Sequence, residues 1–234
     1  MALIKLGGGI VGISGSIAGN TFARNRYGNY VRCRTKPINP KTTRQQLVRS
    51  SLAILSYRWS QILTGVQRTA WNLYGSSVSM KNRLGESIFL TGYNHYIRSN
   101  MFLTIRGETI VDAGPTVFEL PEQDPTITVA PQMHEQRCAI TFDDTMEWCD
   151  EVGAFLIIRE GSPQNAQRNF FAGPFLGYKD KAGKAAEPYT SPENITNLHV
   201  LTTGQKVWYE FRIIRADGRL SQPWTANAVV IAGP

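Results

Sequence analysis

The sequence predicts an α+β multidomain chain: an extended glycine-rich arm with a β-hairpin, a module of short helices, and a C-terminal β-sandwich. Three observations carry this reading. Charge is sorted along the 234 residues: the first 85 hold thirteen Lys and Arg and no Asp or Glu. Residues 1–110 sum to +13 and residues 111–234 to −6, which together leave +7. Hydrophobic residues recur at three-to-four spacing up to Gly107 and alternate beyond Gly114, a change from helical to strand period. A single domain with a mixed surface rarely sorts charge in this way, so the boundaries fall at 1–36 (arm and hairpin), 37–107 (helical module), 108–114 (linker) and 115–234 (sandwich). A hydrophobic fraction of 42% excludes wholesale disorder.

The arm places Ile10, Val11, Ile13 and Ile17 among Gly7, Gly8, Gly9, Gly12, Gly15 and Gly19. The branched side chains gain from burial while the glycines raise the entropic cost of ordering, so the arm is expected to add a strand to a partner's sheet. The hairpin is read over 21–36 with Gly28-Asn29 as its two-residue turn. That register pairs Tyr27 with Tyr30, Asn25 with Arg32 and Ala23 with Arg34 on one face. The other face carries Arg26 with Val31, Arg24 with Cys33 and Phe22 with Thr35. Arginines occupy both faces, and a two-stranded ribbon is marginal alone, so something outside the ribbon should hold it. Residues 1–36 are therefore expected to lack a fixed structure in the isolated protein.

Asn39-Pro40 reads as the cap and first position of a helix running to about Leu63, with Leu47, Ser51, Ile54, Leu55, Trp59 and Ile62 on one stripe. Thr64-Gly-Val-Gln67 is a capping box that opens a second helix, expected to stop at Gly75. A loop or weak strand follows to Leu90. Thr91 caps a third helix, ended by Gly107. Trp59, Trp71, Tyr74, Tyr93, Tyr96 and Phe102 are the aromatic core of this module.

Beyond Gly114, seven strands are expected: 126–129, 137–142, 154–159, 169–178, 197–202, 206–215 and 225–231. In the sixth, Val207, Tyr209, Phe211 and Ile213 point one way. Seven short strands with turn signals between them are the pattern of an immunoglobulin-like β-sandwich.

Two resemblances add to this. Lys206-Val-Trp-Tyr-Glu-Phe-Arg-Ile-Ile-Arg-Ala-Asp-Gly-Arg-Leu-Ser221 resembles the late strands of fibronectin type III domains. Ile13-Ser-Gly-Ser-Ile-Ala-Gly19, Phe22-Ala-Arg-Asn-Arg-Tyr-Gly-Asn-Tyr-Val-Arg32, Asn39-Pro-Lys-Thr-Thr-Arg-Gln-Gln46, Arg68-Thr-Ala-Trp71 and Thr91-Gly-Tyr-Asn94 together resemble a module of uncharacterised tailed-phage virion structural proteins and their relatives in bacterial genomes. This second resemblance covers nearly half the chain. It implies a virion component, synthesised in a host cytoplasm, whose partners are other virion proteins (a major capsid or neck and tail protein) and copies of itself.

Enzyme chemistry is not expected. Gly7-Gly-Gly-Ile-Val-Gly12 satisfies a dinucleotide-binding spacing, but no helix signal follows it and the first acid is Glu86. Asp143, Asp144, Glu147, Asp150 and Glu151 lack the spacing of a calcium loop and read as a solvated acidic turn. Cys33, Cys138 and Cys149 form no C-x-x-C pair, and His95, His134 and His199 stand far apart, so neither a metal, a cofactor nor a disulfide framework is expected. Leu6–Ala23 is uncharged but too polar and glycine-rich for a signal peptide or a membrane span. The partner-binding residues expected are Ile10, Val11, Ile13, Ile17, Arg24, Arg26, Tyr27, Tyr30, Arg32, Arg34 and Lys36. Their cations fit an acidic capsid or tail surface, and a capsid decoration or cement subunit is the first expectation. They also fit phosphates, with the tyrosines stacking on bases, which makes a nucleic-acid-binding virion protein the alternative. A tail, neck or adhesion role for the sandwich is the third.

Overall fold

The computed structural model describes residues 2–36, 38–82, 84–186 and 190–233; Arg83, one of the thirteen early cations, lies outside the described residues. The chain is mixed α and β, with several antiparallel sheets and few helices.

The N-terminal segment departs from the expected extended arm. Strands β1 (Ala2–Ile4), β2 (Gly15–Ile17), β3 (Asn20–Asn25) and β4 (Gly28–Cys33) form one antiparallel sheet in the order β1-β4-β3-β2. The arm thus folds back on both edges of its own hairpin. The hairpin register is corrected as well: Asn25 pairs with Gly28 and Ala23 with Tyr30, so the turn residues are Arg26 and Tyr27, not Gly28 and Asn29. Asn25 decides this by accepting the Tyr27 N–H at 2.9 Å, an Asx turn, while Gly28 takes φ 123° just after it. The displacement is an even number of residues, so each remaining strand residue keeps its expected face.

Helix α1 (Thr43–Tyr57) starts later than expected, because Thr42 rather than Asn39 is the cap, accepting the Gln45 N–H at 3.3 Å. Asn39 instead accepts from Arg49. A π-helical turn, Arg58–Ile62, extends it. Helix α2 (Gly65–Ser77) opens on the predicted Thr64–Gln67 capping box but runs through Gly75. A Cβ there would stand 2.7 Å from the Leu90 carbonyl oxygen and 2.8 Å from the Gly92 nitrogen, so this glycine serves close packing, not a stop. Strands β5 (Ser79–Lys81) and β6 (Ser87–Phe89) make a small hairpin before α3 (Gly92–Arg106), which is capped by Thr91 and ended by Gly107 as predicted. Leu55, Leu63, Trp71, Tyr74, Val78 and Tyr96 form the helical core.

The remaining elements are β7 (Thr128–Gln132), β8 (Arg137–Thr141), the short helix α4 (Glu147–Asp150), β9 (Phe155–Gly161), β10 (Gln164–Asn165), β11 (Phe175–Ala182), β12 (Glu193–Thr196), β13 (Gln205–Ile214) and β14 (Trp224–Val229). Six of the seven expected strands overlap an observed one; the fifth, 197–202, is not a strand. The fourth is displaced toward 175–182, and the strand nearest the fifth, β12, ends at Thr196, just before it. One sheet has the order β12-β8-β7; the other runs β14-β13-β9-β11, with β10 beside the end of β13. Val207, Tyr209, Phe211 and Ile213 face one way and are buried with Cys138, Ile140, Leu156 and Ile158 from both sheets and Trp148 from α4.

The stretch 108–114, expected as a linker, is packed. Trp71 Nε1 donates to the Asp112 carbonyl at 3.0 Å, Asn100 exchanges hydrogen bonds with the Val111 backbone, and the Asp112 carboxylate holds Arg58 and the Tyr96 hydroxyl. A third core joins α3 to the second sheet through Phe102, Leu103, Phe155, Ile157, Ile214 and Leu220.

Candidate interface of the basic sheet

No described residue from 3 to 50 is buried. The four-stranded sheet therefore satisfies its backbone without owning a core, the reverse of how a stable sheet is normally built. On one face lie Leu3, Thr21, Ala23, Tyr30 and Arg32. Ile4, Ile17, Phe22, Arg24, Val31 and Cys33 lie on the other. Arg26 projects from the turn, and Arg34 follows β4, its N–H donating to the Gly19 carbonyl at 2.7 Å. The arginines thus occupy both faces, the tip and the far end, as the sequence indicates, and no single groove gathers them.

Arg24, Arg26, Arg32, Arg34 and Lys36 are all exposed, and none of their side chains has a hydrogen-bond or ion-pair partner among the described residues. Elsewhere in the basic half, cations do find partners. Lys5 pairs with Glu86 at 2.6 Å and holds that carboxyl below its usual range, with Asn82 helping. Arg58 pairs with Asp112 and Arg106 with Asp180. Lys41, Arg68 and Lys81 also lack a side-chain partner among the described residues, so the unpaired cations of the basic half include those of the N-terminal sheet but are not confined to it.

The apolar candidates divide. Val11 is 96% exposed, Ile10 and Ile17 are also exposed, and Ile13 is partly covered. Tyr30 is half-buried. Tyr27 turns out to be an internal anchor: its hydroxyl accepts from Asn94 Nδ2 at 2.7 Å, tying the hairpin tip to the start of α3. Sequence reasoning gave neither Asn94 nor Glu86 a contact with the sheet, because nothing local marks a residue as the seat of a sheet 60 or more positions away. Helix α1 extends the uncovered surface. It buries only Ser51 and Leu55 and leaves Leu47, Val48, Leu52, Ile54 and Tyr57 exposed.

The acidic turn is occupied by internal partners. Asp143 accepts from the backbone and hydroxyl of Thr145, and Asp144 accepts the Ser191 N–H. Glu147 and Glu151 both pair with Arg215. Cys138 and Cys149 are buried, which pushes each thiol up to about 12, whereas Cys33 is exposed on the basic sheet. No helix among the described residues is long and apolar enough to cross a membrane.

No protein-family model matches the chain, and no curated protein matches it. Among solved structures it is similar to a beta-1,2-glucanase from Parabacteroides distasonis, at 13% identity and a TM-score of 0.25, a likeness too slight to assign a fold or an activity. That alignment spans 52% of this chain and 14% of the glucanase.

Proposed function

We propose that the protein is a virion structural subunit, a capsid decoration or cement protein that attaches through its N-terminal sheet and displays the C-terminal β region outward. The observation that carries this reading is a four-stranded sheet with no buried residue among those described from 3 to 33, bearing unpaired cations and exposed Val11, Ile10 and Ile17. Such a surface is favoured when a partner covers it: the apolar residues contribute burial and the cations select an acidic surface. The motifs of 13–94 that resemble tailed-phage virion proteins support the same assignment, with a capsid, neck or tail protein or a sister copy as partner. We further infer that 126–231 is a fibronectin type III-like sandwich. The sheet orders β12-β8-β7 and β14-β13-β9-β11 and their shared core support it.

The test is incorporation of a variant with Arg24, Arg26, Arg32 and Arg34 all replaced by Ser. The unfolding midpoint of the isolated protein should stay unchanged, while retention on purified particles falls. Each exposed ion pair contributes only about 0–1 kcal/mol, so the loss should be cumulative over the four. Normal incorporation of the variant, together with tight duplex DNA binding that weakens steeply with salt, would assign the basic sheet to phosphates instead.

A further inference from the structure

A cavity of about 250 Å³ lies between α3 and the second sheet, on the face opposite that sheet's main core. The register places it. Glu210 pairs with Arg159, Arg212 with Ile157 and Ile214 with Phe155, so these six side chains share one face of β9 and β13. At one end, Phe155, Ile157 and Ile214 are sealed by Phe102, Leu103 and Leu220. At the other, Arg159 and Arg212 meet Arg98 of α3, and the wall is completed by Met101, Phe102, Tyr178 and Leu220.

Three guanidiniums here face one carboxylate. Arg159 Nη1 donates to Glu210 at 2.9 Å and its Nη2 to the Phe175 carbonyl, while its buried Nε has no partner. Arg212 Nε is also buried and makes no hydrogen bond; it shares the same Glu210 carboxylate as an ion pair at 3.4 Å. Arg98 donates to the carbonyls of Leu220 and Ser221, which are neutral acceptors. The nearby Arg106 and Asp180 neutralise each other, and Arg44 of α1 adds a further cation over the Tyr178 ring, opposite in origin to Arg159. Burial and the charge of Arg212 push the Arg98 guanidinium down to about 10, the sign of a cation short of counter-charge. Uncompensated cations against an apolar wall are costly, and an anion that enters removes that cost.

We propose that this cavity binds a carboxylate carried on a small apolar body, the carboxylate between Arg98 and Arg212 and the body against Met101, Phe102 and Leu220. Planar guanidiniums match a carboxylate's two oxygens. The apolar wall argues against a fully hydrated inorganic anion, which would lose water there without replacement. The volume accommodates a ligand the size of an aromatic acid.

The test titrates the full chain with phenylacetate, 2-phenylethanol and inorganic phosphate, following the arginine Nε–H resonances by NMR. Phenylacetate should shift and saturate the Arg98 and Arg212 signals, and both the alcohol and phosphate should bind about tenfold or more weakly. Arg212→Gln should weaken phenylacetate binding by a similar factor, and Arg212→Lys should restore part of it. The comparison of acid with alcohol needs no variant, so it stands if either substitution perturbs folding. A short peptide ending in a free phenylalanine carboxylate separates the sources: preference for it points to a chain terminus, and preference for phenylacetate to a free acid. Failure of both to saturate the arginine signals overturns the site. Phosphate binding as tight as phenylacetate overturns the ligand class.

Discussion

His95 lies in α3 with no solvent exposure, its ring 5.0 Å from that of Tyr74, and neither ring nitrogen has a partner. Burial, with a smaller contribution from the Arg98 charge, pushes the imidazole down to about 4. The sign follows directly. The folded state holds His95 neutral while the unfolded chain protonates it near pH 6.5, so stability present above that pH is lost as pH falls toward 4. The expected loss is about 3 kcal/mol over this window. Urea unfolding at pH 7 and pH 4.5 should show a steeper loss for the native sequence than for His95→Phe, which keeps the ring and removes the titration. Equal pH dependence in the two proteins would mean that His95 is not held neutral. The histidine's burial was not legible in the sequence, because a lone His on an aromatic-rich helix has the same spacing whether it faces core or solvent. By contrast, Thr64, Thr91 and Gly107 were legible, since capping is local chemistry between residues three or four apart.

At the scale of elements, the N-terminal sheet and α1 are the parts least committed to the rest of the chain. No described side chain of the sheet is buried to shield its hydrogen bonds, and it is tied down by contacts such as Tyr27 with Asn94 and Lys5 with Glu86. Amides of 15–33 in the isolated monomer should therefore exchange orders of magnitude faster than those of β13, whose inward residues are fully buried. Protection of 15–33 equal to that of β13 would show that the sheet is stable without a partner. This outcome bears on the expectation that the segment has no fixed structure alone, which the pairing of β1 and β2 with the hairpin now makes specific. Gly28-Asn29 is a good turn in isolation, but the competing turn is held by the Asn25 side chain and its register is shared with both edge strands, β1 and β2. The periodicity of β13 needed no such help: alternation over seven residues already separates inside from outside.

For the whole molecule, the decisive contact is the one between α3 and the second sheet. The reversal of charge and of hydrophobic period points to separate domains joined by a linker at 108–114. Neither signal reports what a helix packs on, and the Arg98, Phe102 and Arg106 side of α3 looks like any amphipathic face. In the folded chain, Phe102 meets Phe155 and Tyr178 edge-on, with ring centres 5.6 and 5.8 Å apart. Arg98 reaches the backbone of 220–221, and Arg106 reaches Asp180. The halves should consequently unfold in one transition, with helix circular dichroism and tryptophan fluorescence tracing the same curve. Phe102→Ala should lower that single transition by about 3–5 kcal/mol, the usual cost of removing a buried phenylalanine. A fragment of residues 115–234 should lack the cooperative unfolding of the full chain, because Phe155, Ile157, Ile214 and Leu220 would lose their cover and present one apolar patch to water. A fragment that stays monomeric and unfolds cooperatively at the full chain's midpoint would return the boundary to a simple linker. In that event the packing of Asp112 and Val111 against the helices would contribute nothing to the stability of the β region.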